Sequence, residues 1–170
     1  RVANEGRPAF VLLEDGPWYP GVAPRPLDPS FGEVVFTTSL SGYQETFTDP
    51  SYMGQIVVMT APMIGNYGIN REDMESGAPQ VRLEGVDTRR LTRHLRERGA
   101  MRGVVAEGTE PTEELKASLL ASPTMEGQDL ASLAGVTESR TVATEGPHVV
   151  AFDFGMKENI VRMLVEAGCR

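Results

Sequence analysis

Cysteine and histidine are the side chains best suited to covalent chemistry, and the chain has one thiol, Cys169, and two imidazoles, His94 and His148. A thiol becomes an effective nucleophile when a base sits beside it, so Cys169 would need one of those two histidines. It comes after Gly168, which reads as the end of a helix, instead of standing at an exposed strand-to-helix turn; the residue reads as a small boundary side chain. His94 has no Cys, Asp or second His at ligand spacing and reads as a surface or boundary residue. There is no G-x-x-x-x-G-K-[ST], no G-x-G-x-x-G after a strand, no H-E-x-x-H and no G-x-S-x-G, so nothing cradles a triphosphate or holds a metal. No catalytic and no metal-ligating residue is assigned.

Two other stretches could bind. "SGYQETFTDPSY", Ser41 to Tyr52, is a long polar connection between the apolar runs "EVVFTT" and "QIVVMT". Asp49-Pro50-Ser51 is turn chemistry, because Pro50 fixes φ and the Asp49 carboxylate can accept backbone N–H groups two residues on. Tyr43 and Phe47 at i, i+4 could form one helical turn, with Gln44, Glu45 and Thr46 outward. A connection of this length is either functional or holds structure of its own. The second stretch is a basic island: Arg89, Arg90, Arg93, Arg96, Arg98 and Arg102. It reads as a solvated face or a protein contact in preference to a nucleic-acid site, since the net charge is −8 and phosphate binding needs concentrated Lys and Arg.

These residues are positioned by short elements. "AFVLLEDG", Glu33–Thr38 and Gln55–Thr60 read as strands, with a turn-rich "PWYPGVAPRPLDPSFG" between the first two and a loop, "APMIGNYGINREDMESGAPQ", after the third. Asp87 to Arg98 reads as a helix with Asp87 as N-cap, Val86 and Leu91 as a hydrophobic staple, Leu91 and Leu95 as the apolar stripe, and Gly99 as the stop. A second helix runs from Pro111 or Thr112 to Ala121 with Leu115 and Leu119 inward. "TESRTVATEGP" loses periodicity and reads as a linker. Beyond it, Val149–Phe152 reads as a strand buried on both faces, then an Asp153-Phe154-Gly155 turn and a helix with Ile160, Met163, Leu164 and Ala167 on one face; this is how a parallel α/β sheet begins. A lone βα unit has no ladder partner, so the chain reads as cut inside a second domain.

At 170 residues, with 40% apolar and 24% charged residues, the composition is that of a globular protein with enough chain to bury a core without disulfides. No apolar run approaches the ~18 residues of a membrane span, "RVANEGRPAF" lacks a signal-peptide core, and a single Cys agrees with a reducing compartment. The expectation is a cytoplasmic protein with no membrane and no nucleic-acid partner.

"GEVVFTTSLSGYQETFTDPSYMGQIVVMTAPMIGNYGIN", "VDTRRLTRHLRERGAMRG" and "VVAFDFGMKENIVRMLVEAGCR", in that order, closely resemble the small, glutamine-hydrolysing subunit of carbamoyl-phosphate synthase; with "VLLEDG" they touch most of the chain. The first block is specific to that family, and the last is shared in outline with other class I glutamine amidotransferases. The resemblance implies a mixed α/β chain: a β-rich, swivelling-type β/α domain over 1–136, a linker over 137–147, and over 148–170 the first βα unit of a Rossmann-like amidotransferase domain. It implies a Cys nucleophile, a His base and an orienting Glu that have no matching positions here, Cys169 included. It implies a large synthetase subunit as partner, which receives the ammonia, and places ATP and Mg there, with no cofactor on this chain. Ser51, in "TDPSY", matches a serine that helps bind L-glutamine. Family members carry a longer segment between "GNYGIN" and "DTR", so the join near Arg82–Leu83 is either a true shortening or a gap in the sequence. A non-catalytic protein-interaction module is the alternative reading.

Overall fold

The computed structural model describes residues 6–66, 68, 70 and 83–170. Most of the "APMIGNYGINREDMESGAPQ" stretch and the join at Arg82 therefore lie outside the described residues. The chain divides into two compact units, and the segments Gly42–Met53 and Asp129–Arg170 belong together in the second.

The first unit is a five-stranded mixed sheet built from β1 (Arg7–Leu13), β2 (Trp18–Ala23), β3 (Ser30–Thr37), β4 (Gln55–Met59) and β5 (Met101–Glu107), in the order β2-β1-β5-β3-β4. β3 and β4 pair in parallel and the other neighbours are antiparallel. α2 (Thr88–Arg98) and α3 (Glu113–Ala121) pack on this sheet. Successive strand residues point to opposite faces, and the core obeys that alternation. Val11, Leu13 and Val105 join Leu91 and Leu95 of α2 in one cluster, whereas Phe10, Leu12, Val104 and Ala106 join Leu119 of α3 in the other. With both faces of β1 and β5 covered, their sequences are apolar runs with no polar alternation.

Both helices start and stop on local signals. Asp87 Oδ1 accepts from the Arg90 N–H at 3.0 Å, Thr112 Oγ1 accepts from the Leu115 N–H at 3.2 Å, and Gly99, at φ 92°, ends α2. Each fully buried Leu on these helices contributes about 1.5–3 kcal/mol, so the stripe outweighs any propensity term.

Two strands differ from the sequence reading. The turn-rich stretch contains β2, which tolerates Pro20 because it ends the sheet order and so carries only one full ladder, to β1. β5, to which the reading assigns no strand, is the central one, and its start at Met101 so soon after Gly99 hides it behind the helix signal. The basic island also disperses: Arg102 leaves the helix for β5, where its guanidinium meets Glu14 at 2.7 Å and the Ser122 carbonyl at 2.6 Å, tying the end of α3 to the sheet.

In the second unit α1 (Tyr43–Thr48), a 3₁₀ turn (Pro50–Tyr52), α4 (Leu130–Ala134) and α5 (Glu158–Glu166) form. Gly168, at φ 82°, stops α5 where expected: Cys169 N–H bonds Leu164 O at 3.0 Å and Gly168 N–H bonds Val165 O at 2.9 Å, a left-handed helix terminus. The strand expected at Val149–Phe152 does not form. Its ladder would need flanking strands; instead, among the described residues, Val149 N–H donates to Arg170 O and Arg170 N–H donates to Pro147 O. Val150 and Phe152 are accordingly exposed, as are Ile160 and Met163 of α5.

Gly103 sits where the strands crowd. A Cβ there would lie 2.4 Å from Val34 Cγ2 and 2.9 Å from the Leu12 carbonyl oxygen. Overpacking costs about 1–3 kcal/mol, more than the about 0.4–1 kcal/mol that Gly→Ala returns through the unfolded chain. Gly103→Ala should therefore lower the urea midpoint; an unchanged midpoint would contradict this packing.

Candidate functional site

Because β3 and β4 run parallel, the chain between them must cross back, and such crossovers need about a dozen residues or more. "SGYQETFTDPSY" is that crossover. Gly42, at φ 74°, opens α1, with its carbonyl accepting from both the N–H and the hydroxyl of Thr46. Tyr43 is buried and its hydroxyl donates to the Gly68 carbonyl. Gln44, expected to face outward, is instead buried at 5% exposure. Its side-chain amide donates to the Asn70 carbonyl and accepts from the Asn70 N–H at 2.8 Å. A primary amide offers a donor and an acceptor side by side, so it can satisfy the N–H and the C=O of one residue and be buried with both groups paired. Glu45 is half-buried, and among the described residues its Oε2 meets no donor.

Asp49 ends α1 and caps the adjoining 3₁₀ turn. Its Oδ1 accepts from the Ser51 N–H at 2.9 Å and its Oδ2 meets Lys157 Nζ at 2.8 Å, so both oxygens are engaged. The Asp49 side chain is 6% exposed and that of Lys157 45%. Burial, the largest single influence, pushes the carboxyl up, but hydrogen bonds from Lys157 and from the side chain and backbone of Ser51, with the Lys157 charge, together outweigh it and hold Asp49 below its ordinary value of 3.8. Ser51 itself is exposed, presented on a turn whose backbone is pinned from beneath.

Lys157 is placed by the Asp153-Phe154-Gly155 turn. Asp153 Oδ1 accepts from the N–H groups of Gly155 (2.9 Å) and Met156 (2.8 Å), and Gly155 takes φ 95°. A Cβ at Gly155 would stand 3.0 Å from Ala134 Cβ and 3.7 Å from Pro50 Cβ, so the two turns approach closely.

Through Asp49, the turn that carries Ser51 is thus tied to Lys157, which the sequence reading does not single out. A signal existed: Lys157 is the N-cap of α5, where Ser, Thr, Asp or Asn is preferred and the helix dipole opposes a cation. A lysine there needs a partner elsewhere. The histidines and the cysteine lie elsewhere. His94 is paired with Asp15 at 2.7 Å, His148 is exposed, and the backbone N–H of Cys169 serves the end of α5. Among the described residues no group of three or more His, Cys, Asp or Glu could hold a metal ion, and no helix is long and apolar enough to cross a membrane.

The family model described as carbamoyl-phosphate synthase small chain, CPSase domain, matches residues 11–83, a span that contains the whole crossover. The chain is 41% identical to the carbamoyl phosphate synthase small chain of Chlorobaculum tepidum, covering 96% of this chain and 54% of that protein. It is 39% identical to the small chain of Nitratidesulfovibrio vulgaris strain Miyazaki F (94% and 56%) and 39% to that of Clostridium perfringens (95% and 54%). This chain belongs to the carbamoyl-phosphate synthase small-chain family. It spans about half the length of the curated family members it matches. The aligned spans, of 192 to 209 positions, exceed the 170 residues of the chain, so these family members carry residues within the span that this chain does not.

A carboxyl held below its unfolded value stabilises the fold fully above about pH 4, and that contribution is lost as pH falls through the lower folded value. Asp49→Asn should therefore flatten the acid limb of a stability–pH profile below about pH 4, and lower stability at pH 7. Urea unfolding from pH 7 to pH 2.5 measures both; a variant whose profile parallels the wild type would show that Asp49 is not the group involved.

Proposed function

We propose that this chain is part of the glutamine-hydrolysing small subunit of a carbamoyl-phosphate synthase and that Ser51 contacts the substrate, L-glutamine. On this reading residues 1–136 form the swivelling-type domain, 137–147 the linker, and 148–170 the opening segment of the Rossmann-like amidotransferase domain, of which only the helix α5 is formed here. The observation that carries it is the Asp49–Lys157 bridge: it ties the turn presenting Ser51 to the "DFGMKEN" segment at 2.8 Å. A substrate-binding hydroxyl is useful only if it is held in register with the chemistry, and the bridge supplies that hold.

The Ser51 hydroxyl can donate and accept, so it suits either end of an amino acid. Its net worth is about 0.5–1.5 kcal/mol, or about 1.5–3 kcal/mol against a charged group. The chain contributes binding and positioning. Cleavage of the glutamine amide belongs to a Cys, His and Glu for which these 170 residues offer no matching positions. The ammonia released passes to a large synthetase subunit, which holds ATP and Mg and forms carbamoyl phosphate from bicarbonate. A route closed to water preserves ammonia as a nucleophile, since protonation would remove its lone pair. The site of action is the cytoplasm.

In a full-length subunit carrying this sequence, Ser51→Ala should raise KM for glutamine by roughly 3- to 10-fold, the equivalent of one neutral hydrogen bond, and leave ammonia-dependent synthesis unchanged. An unchanged KM would favour the interaction-module reading. The 170-residue chain alone should release no ammonia from glutamine, and measurable release would refute the assignment of catalysis to other residues.

A further inference from the structure

α2 buries Leu91 and Leu95 and turns its arginines outward. On that side a cleft of about 760 Å³ lies between α2 and the start of β2. The backbone of Trp18 and the buried Tyr19 line one side, and Arg89, Arg90 and Arg93 the other.

The three arginines are not equivalent. Arg90 is fixed: its Nη2 donates to the Trp18 carbonyl at 3.1 Å and its guanidinium stands 4.6 Å from the centroid of the Tyr19 ring. Arg89 and Arg93 are exposed, and among the described residues neither makes a hydrogen bond or ion pair through its side chain. The nearby acids are mostly committed, Asp87 to the Arg90 N–H and Asp15 to His94, which leaves Glu97 at the rim. Elsewhere Arg7, Arg102 and Arg140 each meet a carboxylate.

Folding alone gives no reason for this arrangement. Arg89 and Arg90 stand in the first turn of α2, where the helix dipole repels cations, and Arg89 and Arg93 are like charges at i, i+4. In a chain of net charge −8, such a concentration of cations is a local reversal of sign. Features that break local rules without a compensating contact within the fold point to function.

We propose that this cleft docks an acidic segment of a protein partner, with the carboxylates of two acidic side chains on Arg89 and Arg93. The cleft is open, which suits side chains from a surface better than an enclosed small molecule. Guanidinium forks recognise carboxylates bidentately, and i, i+4 spacing sets two such forks about 5–6 Å apart at Cβ. The partner is the large synthetase subunit, and in that the inference rests on the proposed function.

The test is association of the full-length small subunit with its large subunit, measured at low and high salt. The double variant Arg89→Glu/Arg93→Glu should weaken association about tenfold or more and reduce its salt dependence. The melting temperature and the glutaminase activity of the isolated subunit should not change, since both side chains are exposed and unpaired among the described residues. Arg89→Gln/Arg93→Gln should give a smaller loss in the same direction, which keeps the test valid if charge reversal disturbs folding. A poly-glutamate peptide should compete with the large subunit for the wild type and not for the variants. Wild-type association that neither double variant alters would overturn the inference and leave the functional reading standing. No association by the wild type would overturn both. Duplex DNA binding more tightly than poly-glutamate, and lost in the variants, would replace the protein partner with nucleic acid.

Discussion

Parallel pairing of β3 with β4 is the constraint on which the rest of this chain is organised. Two adjacent strands running in the same direction cannot be joined by a hairpin, so residues 38–54 must form a crossover. That requirement explains the length of the polar segment without reference to function. Its content is a separate matter. Having to leave the sheet, the crossover places α1 and the Pro50–Tyr52 turn with the second compact unit, where Asp49 meets Lys157.

Asp49 carries several tasks on one carboxylate. It caps the turn, fixes the Ser51 backbone and takes the Lys157 ammonium. A buried carboxylate is tolerable only when its oxygens are satisfied, and here each oxygen has a donor. The neighbouring Gln44 amide obeys the same logic with a neutral group, satisfying both the N–H and the C=O of Asn70. Ser51 is thereby exposed on a turn whose backbone N–H is held by Asp49.

Charges placed against local preference recur in this molecule. Lys157 occupies a helix N-cap, and Arg89 and Arg90 occupy the first turn of α2. Propensity alone would exclude each. The first is explained by its ion pair with Asp49, and Arg90 by the Tyr19 ring and the Trp18 carbonyl. Arg89 and Arg93 have no counterpart among the described residues, and that asymmetry separates a structural arginine from one available to a partner.

The features legible in the amino-acid string were local ones. The cap and stop of α2, the end of α3 at Ala121, the turn at Asp153 and the helix end at Gly168 depend on a few adjacent residues and formed where those residues stand. The family blocks were equally legible, since they are themselves strings. Long-range contacts settled the rest. β2 and β5 are strands because of the neighbours they pair with, and Val149–Phe152, though apolar in large part, is not one because among the described residues no ladder flanks it. Gln44 is buried by a peptide 26 residues away, and Asp49 is paired with a lysine far along the chain. A β ladder and a buried ion pair are satisfied by groups distant in sequence, so no local pattern can announce them; a helix cap is satisfied within its own turn.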